Sequence, residues 1–556
     1  TDFGASGAHL AMVLRDAELA AQLGDESQYL STWPDIKRQA LALPADQQRI
    51  FAIAARNMAW ESVAPAFIAR VEEFDRSWRS RRITELASSL LQNQLPLEHP
   101  LNRVTRFQEA FWQYLSHDLA AARATIENLL SHDAGTLEDA ALRGFALQLL
   151  SMVSADAGNE DVAILLSKEA LNAIHALPLV IPSTADEGTT GYLDVPSLAE
   201  LGRGWTYKWL AHLLISSGRL VEAQQLLLML RENELAENLR SGGIHQPRDG
   251  KATLTGLEQK RFQAFHRIRE QQAALAVERQ ELLVREAGGT LDAVGRRRLQ
   301  EIARLEANEI KPALSRFLQG LDVAMSATAD ATVVQNSGSV KLEATRIQRD
   351  IDQWAREAPK AHAVGLQYLA ERNTLSVILT VPGLSPIARQ VPVARADLYN
   401  AIYEARALLR TPLSSVDRLR PALQKLYTLL IKPIEKDLRQ LGARTLLLSL
   451  DDRIRQLPFA ALVTEDGRYL IEDYAVALYN EATSGAAAQP TSRNWHVAAM
   501  GLSKAAGGLP ALKSVPTELQ QVVRSSRSGG RTFLDGQFTL ASLDGVMARR
   551  PAPSFN

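Results

Sequence analysis

Cysteine is absent from all 556 residues of this sequence. The absence excludes disulfide bonds, thiolate zinc sites and a cysteine nucleophile within these residues. An excess of either charge is also missing, because the formal net charge at pH 7 is -1. Such a chain has no overall field that would attract nucleic acid or an anionic membrane surface. No apolar run approaches the roughly 18 residues that a membrane-spanning helix requires.

Several common catalytic motifs are missing as well. None of the ten histidines belongs to an H-E-x-x-H motif, and the GK pair at 250–251 lacks the upstream glycine of a phosphate-binding loop. The sequence therefore predicts neither a bound metal nor a cofactor. GLSKA at 501–505 resembles a nucleophile elbow without its second glycine, so we interpret Ser503 as part of a strand-to-loop turn. His496 lies in an apolar run and is predicted to be a packed core residue.

Two clusters of arginine stand out against this near-neutral background, WRSRR at 78–82 and RRR at 296–298. Charge runs of this length usually form a solvated helix face, so we predict no direct contact with nucleic acid. Charged residues at 15, 16 and 18 argue against a signal peptide. The sequence begins at Thr1 rather than Met, so the compartment stays open, with the cytoplasm favoured.

Residues 1–245 are patterned almost entirely for helices, with many alanines and leucines and few β-branched runs. At 205–235, Gly218 separates two helical runs, and Ala223 stands where only a small side chain lets two helices approach closely. The same arrangement recurs at Gly158 and Ala163, and more weakly around Ala122. Because the intervals between these alanines are uneven, we predict degenerate repeats of the tetratricopeptide type. An irregular helical domain is the alternative.

Residues 250–322 change in character to long, charged helix. Leu257, Ala264, Ile268, Leu275 and Leu282 follow one another at intervals of seven, four, seven and seven residues, which is typical of a coiled-coil seam. The glycine pair at 288–289 interrupts this seam before a return helix that is expected to end near Pro312. The pattern predicts a long antiparallel helical hairpin, followed by a small-residue, polar linker at 323–345.

Residues 346–556 alternate between strand and helix patterns, which predicts an α/β domain with a mostly parallel, covered sheet. A β-hairpin is predicted at 363–383, with its turn at 371–373, and a second hairpin at 468–480. Buried strands are predicted for LLLSL at 446–450 and for WHVAAMGLS at 495–503.

Two adjacent acids, Asp451 and Asp452, close the LLLSL strand within the stretch LLLSLDDRIRQLPFAAL. A parallel strand that ends on acids delivers them to the carboxyl edge of its sheet, where open α/β sheets bind ligands. Two interpretations stay open. The acids cap or hold the following loop, or at least one of them lines a substrate pocket that favours a basic group.

Four segments occur in an order that resembles the CHAT domain, a caspase-like family of cysteine peptidases related to caspases and separases. They are LYTLLIKPIEKDL (426–438), LLLSLDDRIRQLPFAAL (446–462), YLIEDYAVALYNEATS (469–484) and WHVAAMGLSKAAGGLPALKSVPTEL (495–519). Members of this family commonly carry tetratricopeptide repeats upstream, and residues 211–240 are similar to the last such repeat. FLDGQFTLASLDGVMARRPAPSFN, at the end of the sequence, resembles the segment that leads to the family's catalytic histidine strand. The resemblance implies a multidomain protein with a caspase-like sheet that is incomplete in this chain.

The resemblance also implies thiolate acyl transfer, with a histidine as acid and base and a backbone oxyanion hole. The family's histidine and cysteine strands would follow Asn556, so no catalytic residue is expected among the residues given. Asp451, Asp452 and Arg455 are the expected substrate-binding residues, and the acids imply cleavage after a basic residue. We expect a regulated endopeptidase whose helical repeats bind a protein activator. The alternative is a catalytically silent interaction scaffold, and the oligomeric state stays open.

Overall fold

The computed structural model describes residues 6–22, 25–69, 77–95, 99–131, 137–177, 195–240, 252–332, 346–411, 416–479, 497–505, 510–525 and 530–547. Contacts divide the chain into two compact units, Thr1–Ser484 and Gly485–Asn556. Most of the linker that the sequence predicts at 323–345 lies outside the described residues. The predicted domain ranges 1–245, 250–322 and 346–556 stay predictions.

Ten helices follow one another in the described part of residues 6–240, in agreement with the alanine- and leucine-rich pattern. They are α1 Gly7–Gln22, α2 Glu26–Ala42, α3 Ala45–Ala69, α4 Ser77–Gln92, α5 Pro100–Leu115, α6 Leu119–Ser131, α7 Leu137–Asp156, α8 Glu160–His175, α9 Val195–Ser216 and α10 Leu220–Arg240. One apolar core lies among α1 to α4, and a second core extends from α5 to α10.

Three hairpins, α5–α6, α7–α8 and α9–α10, share one turn. Each turn contains a residue with positive φ, which is +59° at His117, +86° at Gly158 and +74° at Gly218. The next residue donates its N–H to a carbonyl oxygen five positions earlier, at 2.8–2.9 Å, as in a Schellman motif. The alanine five positions after the positive-φ residue is fully buried in all three hairpins, as Ala122, Ala163 and Ala223.

This shared turn explains the spacing of glycine and alanine seen in the sequence. Glycine adopts a positive φ without steric cost. Histidine, here His117, is one of the few other residue types that are enriched at positive φ. The buried alanine then lets the second helix of each hairpin lie close to its neighbours. The helical region is therefore consistent with repeats, whereas the tetratricopeptide assignment stays a prediction.

The predicted long hairpin corresponds to α11 Gly256–Ala287 and α12 Ala293–Leu305, which enclose the buried side chains of Leu282, Leu291 and Ile302. The return segment does not end near Pro312 as the sequence predicts. It continues through a π-helical turn, Glu306–Ile310, into α13 Lys311–Thr332. Pro312 lacks a backbone N–H that could donate within this continuous helix, and the π-helical turn lies directly before it.

Five strands of the first unit form one mixed sheet in the order β3-β2-β1-β4-β5. Their bounds are β1 Ala363–Ala370, β2 Thr374–Thr380, β3 Ile387–Pro392, β4 Thr445–Ser449 and β5 Ala475–Leu478. β1–β2 and β2–β3 are antiparallel, whereas β4 lies parallel to both β1 and β5. In the second unit, β6 Val497–Gly501 and β7 Gly530–Leu534 also pair in parallel. The predicted helical half and mostly parallel α/β half are thus confirmed.

Helices cover both faces of the five-stranded sheet. The remaining helices of the first unit are α14 Arg346–Glu357, α15 Arg395–Arg410, α16 Val416–Leu430, α17 Lys432–Gln440 and α18 Leu470–Asp473. Those of the second unit are α19 Val515–Ser525 and α20 Leu540–Met547. On one face, Leu366 and Leu448 pack among α15, α16 and α17. On the other face, Leu447 packs with Ile351 of α14 and Leu228 of α10. The last helical hairpin of the N-terminal half is therefore part of the layer that covers the sheet.

Residues 468–480 do not form the second hairpin that the sequence predicts. Tyr469 makes only an isolated bridge to Val463, and β5 runs parallel to β4. The Glu472 side chain accepts a hydrogen bond from the Tyr469 backbone N–H at 2.7 Å, which begins the short helix α18. Because this capping interaction favours a helical turn, the chain turns before it can pair with itself.

Among the described residues, no helix combines the length and the apolar character needed to cross a membrane.

Candidate functional site

The carboxyl ends of β1 and β4 lie side by side because the two strands run in parallel. Ala370 is the last residue of β1, and Asp451 follows β4 by two residues. The strand-ending acid thus lies at the carboxyl edge of the sheet, as its position in the sequence predicts. This edge is where open α/β sheets usually hold their functional groups.

The Asp451 side chain is fully buried and contacts three groups. Its Oδ1 atom lies 3.0 Å from Arg231 Nη1 and 3.2 Å from Lys208 Nζ. Its Oδ2 atom accepts a hydrogen bond from the Ala370 backbone N–H at 3.1 Å. Both cationic side chains come from the α9–α10 hairpin. The acid at the end of β4 therefore joins the helical layer to the sheet through charge-assisted hydrogen bonds.

Burial and the two cations have opposite effects on the pKa of Asp451. Removal from water raises the pKa, because a carboxylate loses more solvation than a neutral carboxyl group does. Arg231, Lys208 and the Ala370 N–H together outweigh that effect and hold the pKa below its usual value. The group is thus an anion at neutral pH despite its burial.

Further polar contacts join the same hairpin to the sheet around Asp451. His212 Nδ1 of α9 lies 2.7 Å from Glu371 Oε1, in the turn that follows β1. Arg231 also reaches the backbone carbonyl oxygen of Tyr368, with its Nη2 atom at 3.4 Å. Gln224 of α10 donates to the Thr380 hydroxyl at the end of β2, at 2.5 Å. The hairpin therefore contacts the sheet through several polar groups in addition to apolar packing.

The other two predicted site residues lie in the 3₁₀ helix Asp452–Gln456 that follows Asp451. The side chain of Asp452 lies outside what the structure describes. Arg455 is exposed, and its backbone N–H donates to the Asp451 carbonyl oxygen at 3.3 Å. Further along, Phe459 is buried against the ring of Tyr368, with 5.5 Å between the ring centroids. The substrate-binding role of Asp451, Asp452 and Arg455 stays a prediction.

The second unit contains a similar arrangement at the ends of β6 and β7. Asp535 follows β7, and its Oδ1 atom accepts hydrogen bonds from the backbone N–H groups of Ser503 at 2.6 Å and Lys504 at 3.1 Å. Its Oδ2 atom accepts from the Ser503 hydroxyl at 2.8 Å. The Ser503 backbone and side-chain donors hold the pKa of Asp535 below its usual value. Asp535 thereby anchors the loop after β6.

This geometry gives Ser503 a structural part in the loop. Its hydroxyl donates to a carboxylate that is a weak base, whereas a serine nucleophile needs a neighbour that accepts its proton readily. His496, the one histidine that the sequence places in the second unit, lies outside the described residues. Within the described part of the chain, no group of three or more potential metal-ligating residues is present.

Sequence reasoning missed Lys208, Arg231 and Asp535. Asp535 carries the same signal as Asp451, an acid directly after a strand-like run, TFLD. Lys208 stands among apolar residues in WTYKWLAHLL, which marks a cation close to a buried surface. Arg231 has no local signal, because its partner is 220 positions away in the sequence.

Comparison with protein families shows that residues 420–553 match the CHAT domain. The matched range begins in α16 and includes β4 with Asp451, β6 with the Ser503 loop, and β7 with Asp535. The CHAT family is caspase-like and is associated with cysteine peptidase activity. A search of curated proteins found no match to this chain.

Replacement of Asp451 by Asn tests the buried ion cluster. Asp451→Asn leaves two cations without their counter-charge, so we expect a loss of about 3–5 kcal/mol in unfolding free energy at pH 7. Because the folded-state pKa lies below the unfolded value, this stabilisation is present above about pH 4 and is lost below it. Urea unfolding of both proteins from pH 7 to pH 3 measures the difference. The exposed Asp397→Asn variant is the control.

A difference that disappears between pH 7 and pH 5 would contradict this assignment, because a group other than Asp451 would then be titrating.

Replacement of Asp535 by Ala tests the anchor in the second unit. Asp535→Ala removes the acceptor of the Ser503 and Lys504 N–H groups, so we expect their amide hydrogen exchange to accelerate by roughly 10- to 100-fold. Hydrogen exchange followed by mass spectrometry of peptides that cover residues 497–505 measures this change. Asp544→Ala, at an exposed position on α20, is the matched control. Equal exchange in all three proteins would show that the carboxylate does not hold the loop.

Proposed function

We propose that this chain is part of a regulated, caspase-like cysteine endopeptidase. The observation that carries the proposal is the coincidence of the CHAT match at 420–553 with an acid at the carboxyl edge of the parallel strands. In this proposal the CHAT region, residues 420–553, binds a protein substrate, which is cleaved with catalytic residues outside this sequence. The helical region binds a protein partner that regulates cleavage.

The proposed chemistry is acyl transfer to a cysteine thiolate. A histidine takes the thiol proton and later donates a proton to the leaving amine, while backbone N–H groups stabilise the oxyanion. The 556 residues contain no cysteine, so the proposal assigns the nucleophile to a part of the protein outside this sequence. The described residues would contribute substrate binding and regulation.

Substrate selection is the part of the proposal that rests on this chain. We assign it to Asp451, Asp452 and Arg455, with the carboxylates favouring Arg or Lys at the cleavage position. In support, the Asp451 carboxylate already binds one guanidinium and one ammonium group through a single oxygen. A carboxylate in this setting remains charged and forms strong, directional hydrogen bonds to basic groups.

Regulation by the helical region is supported by its contact with the same strand end. The α9–α10 hairpin provides Lys208 and Arg231 to Asp451, and it also provides His212 to Glu371. A partner that binds the helical hairpins and shifts α9 would change the charge around the acid. Stacked helical hairpins commonly provide extended surfaces for binding other proteins.

Covalent labelling with a peptide probe tests the proposal most directly. The complete protein would be treated with an acyloxymethyl ketone peptide that carries Arg at the position before the reactive group. We expect one probe per molecule, attached to a cysteine and blocked by prior alkylation with iodoacetamide. A matched probe with norleucine in place of Arg should react at least tenfold more slowly. Absence of labelling with and without a cell extract that supplies partners would contradict the peptidase proposal.

The double variant Asp451→Asn/Asp452→Asn tests the selection residues separately. We expect it to label with the Arg and norleucine probes at similar rates, because the charge that distinguishes them is gone. An unchanged preference for Arg would remove the acids from substrate selection while leaving the peptidase proposal intact.

A catalytically silent interaction scaffold is the second proposal. It is favoured by the extent of the helical region, in which three hairpins share one turn geometry. It predicts measurable partner binding and no cysteine-dependent labelling under any condition, so the same probe experiment separates the two proposals.

A further inference from the structure

Lys208 and Arg231 contact the same oxygen of Asp451, but they are held differently. The Arg231 side chain is 12% exposed and has a second contact to the Tyr368 carbonyl oxygen. The Lys208 side chain is 25% exposed and lies slightly farther from the acid, at 3.2 Å. Lys208 is therefore the cation that can leave Asp451 with less loss of packing and fewer broken contacts.

The Asp451 oxygen that binds the two cations has no lone pair left for a third basic group. Oδ2 is directed to the Ala370 N–H, and Oδ1 is shared by the two cations. A guanidinium group that binds both carboxylate oxygens must therefore replace one of the two cations at Oδ1. An ammonium group that leaves for water regains its hydration, which lowers the cost of replacing Lys208.

We propose that Lys208 is an intramolecular competitor that holds the place of a substrate's basic side chain at Asp451. Arg231 remains as the permanent counter-ion of the acid. The inference rests on the proposed function, because it concerns how the same site admits a substrate. It makes the affinity of the site for basic peptides dependent on the position of α9.

The competition can be measured by binding, without any cleavage. The probe is a fluorescein-labelled peptide, Gly-Leu-Arg-Gly-Gly, titrated with the 556-residue chain at pH 7 and fixed ionic strength. Lys208→Met keeps most of the side-chain volume and removes the charge. We expect Lys208→Met to bind the probe at least tenfold more tightly than the unmodified chain, as measured by fluorescence anisotropy. Lys432→Met removes an exposed lysine from another ion pair, and it should leave the affinity unchanged.

Two further measurements connect the change to the charge at position 208. Lys208→Arg keeps a cation beside Asp451 and should bind the probe as weakly as the unmodified chain does. A peptide with norvaline in place of Arg should show no gain with Lys208→Met, because it lacks the guanidinium group. Thermal unfolding of each variant establishes that it is folded, and Lys208→Gln replaces Lys208→Met if the latter does not fold.

Equal affinity of the folded Lys208→Met variant and the unmodified chain for the Arg peptide would overturn the inference. So would an equal gain for the norvaline peptide, since the effect would then come from apolar contact. If binding changes as expected but the complete protein is not labelled by the ketone probe, the inference holds and the peptidase proposal fails. The two failures are therefore distinguishable.

Discussion

A carboxylate that is fully removed from water must have counter-charges, and this requirement organises the junction between the two halves of the chain. Asp451 follows β4 by two residues and its side chain has no exposure, and its partners come from the α9–α10 hairpin and from β1. An isolated buried anion would cost several kcal/mol, so the sheet edge depends on the helices that neutralise it. The helical region thereby contributes to the local structure of the CHAT region as well as lying upstream of it.

Apolar packing supports the same junction. Leu228 of α10 packs with Leu447 of β4, and Leu369 and Ile378 of the sheet belong to the core that runs through the helical hairpins. Parallel strands need cover on both faces, and here part of that cover comes from the N-terminal half. Because one hairpin serves both the helical stack and the sheet, a change in the helical stack has a direct physical route to Asp451.

Local patterns in the sequence predicted the features that depend on near neighbours. The turns at Gly158 and Gly218 and the β1–β2 hairpin follow from short-range backbone preferences. The location of Asp451 at the sheet edge follows from its place directly after a buried, strand-like run. The contacts of Asp451 with Lys208 and Arg231 depend on tertiary packing between segments that are distant in the sequence. Apolar periodicity along the chain carries no information about such packing. Residues 468–480 show the same limit, because Glu472 favours a helical turn over the strand pairing that apolar alternation predicted.

We infer that Asp451 and the α9–α10 hairpin form one energetic unit. A double-mutant cycle with Asp451→Asn, Arg231→Gln and the combined variant, measured by urea unfolding at pH 7, tests it most directly. We predict a coupling energy of at least about 1 kcal/mol between the two positions, since each change removes the partner of the other. Additive effects of the two substitutions would contradict the claim, because they would show that the contact carries no free energy of its own.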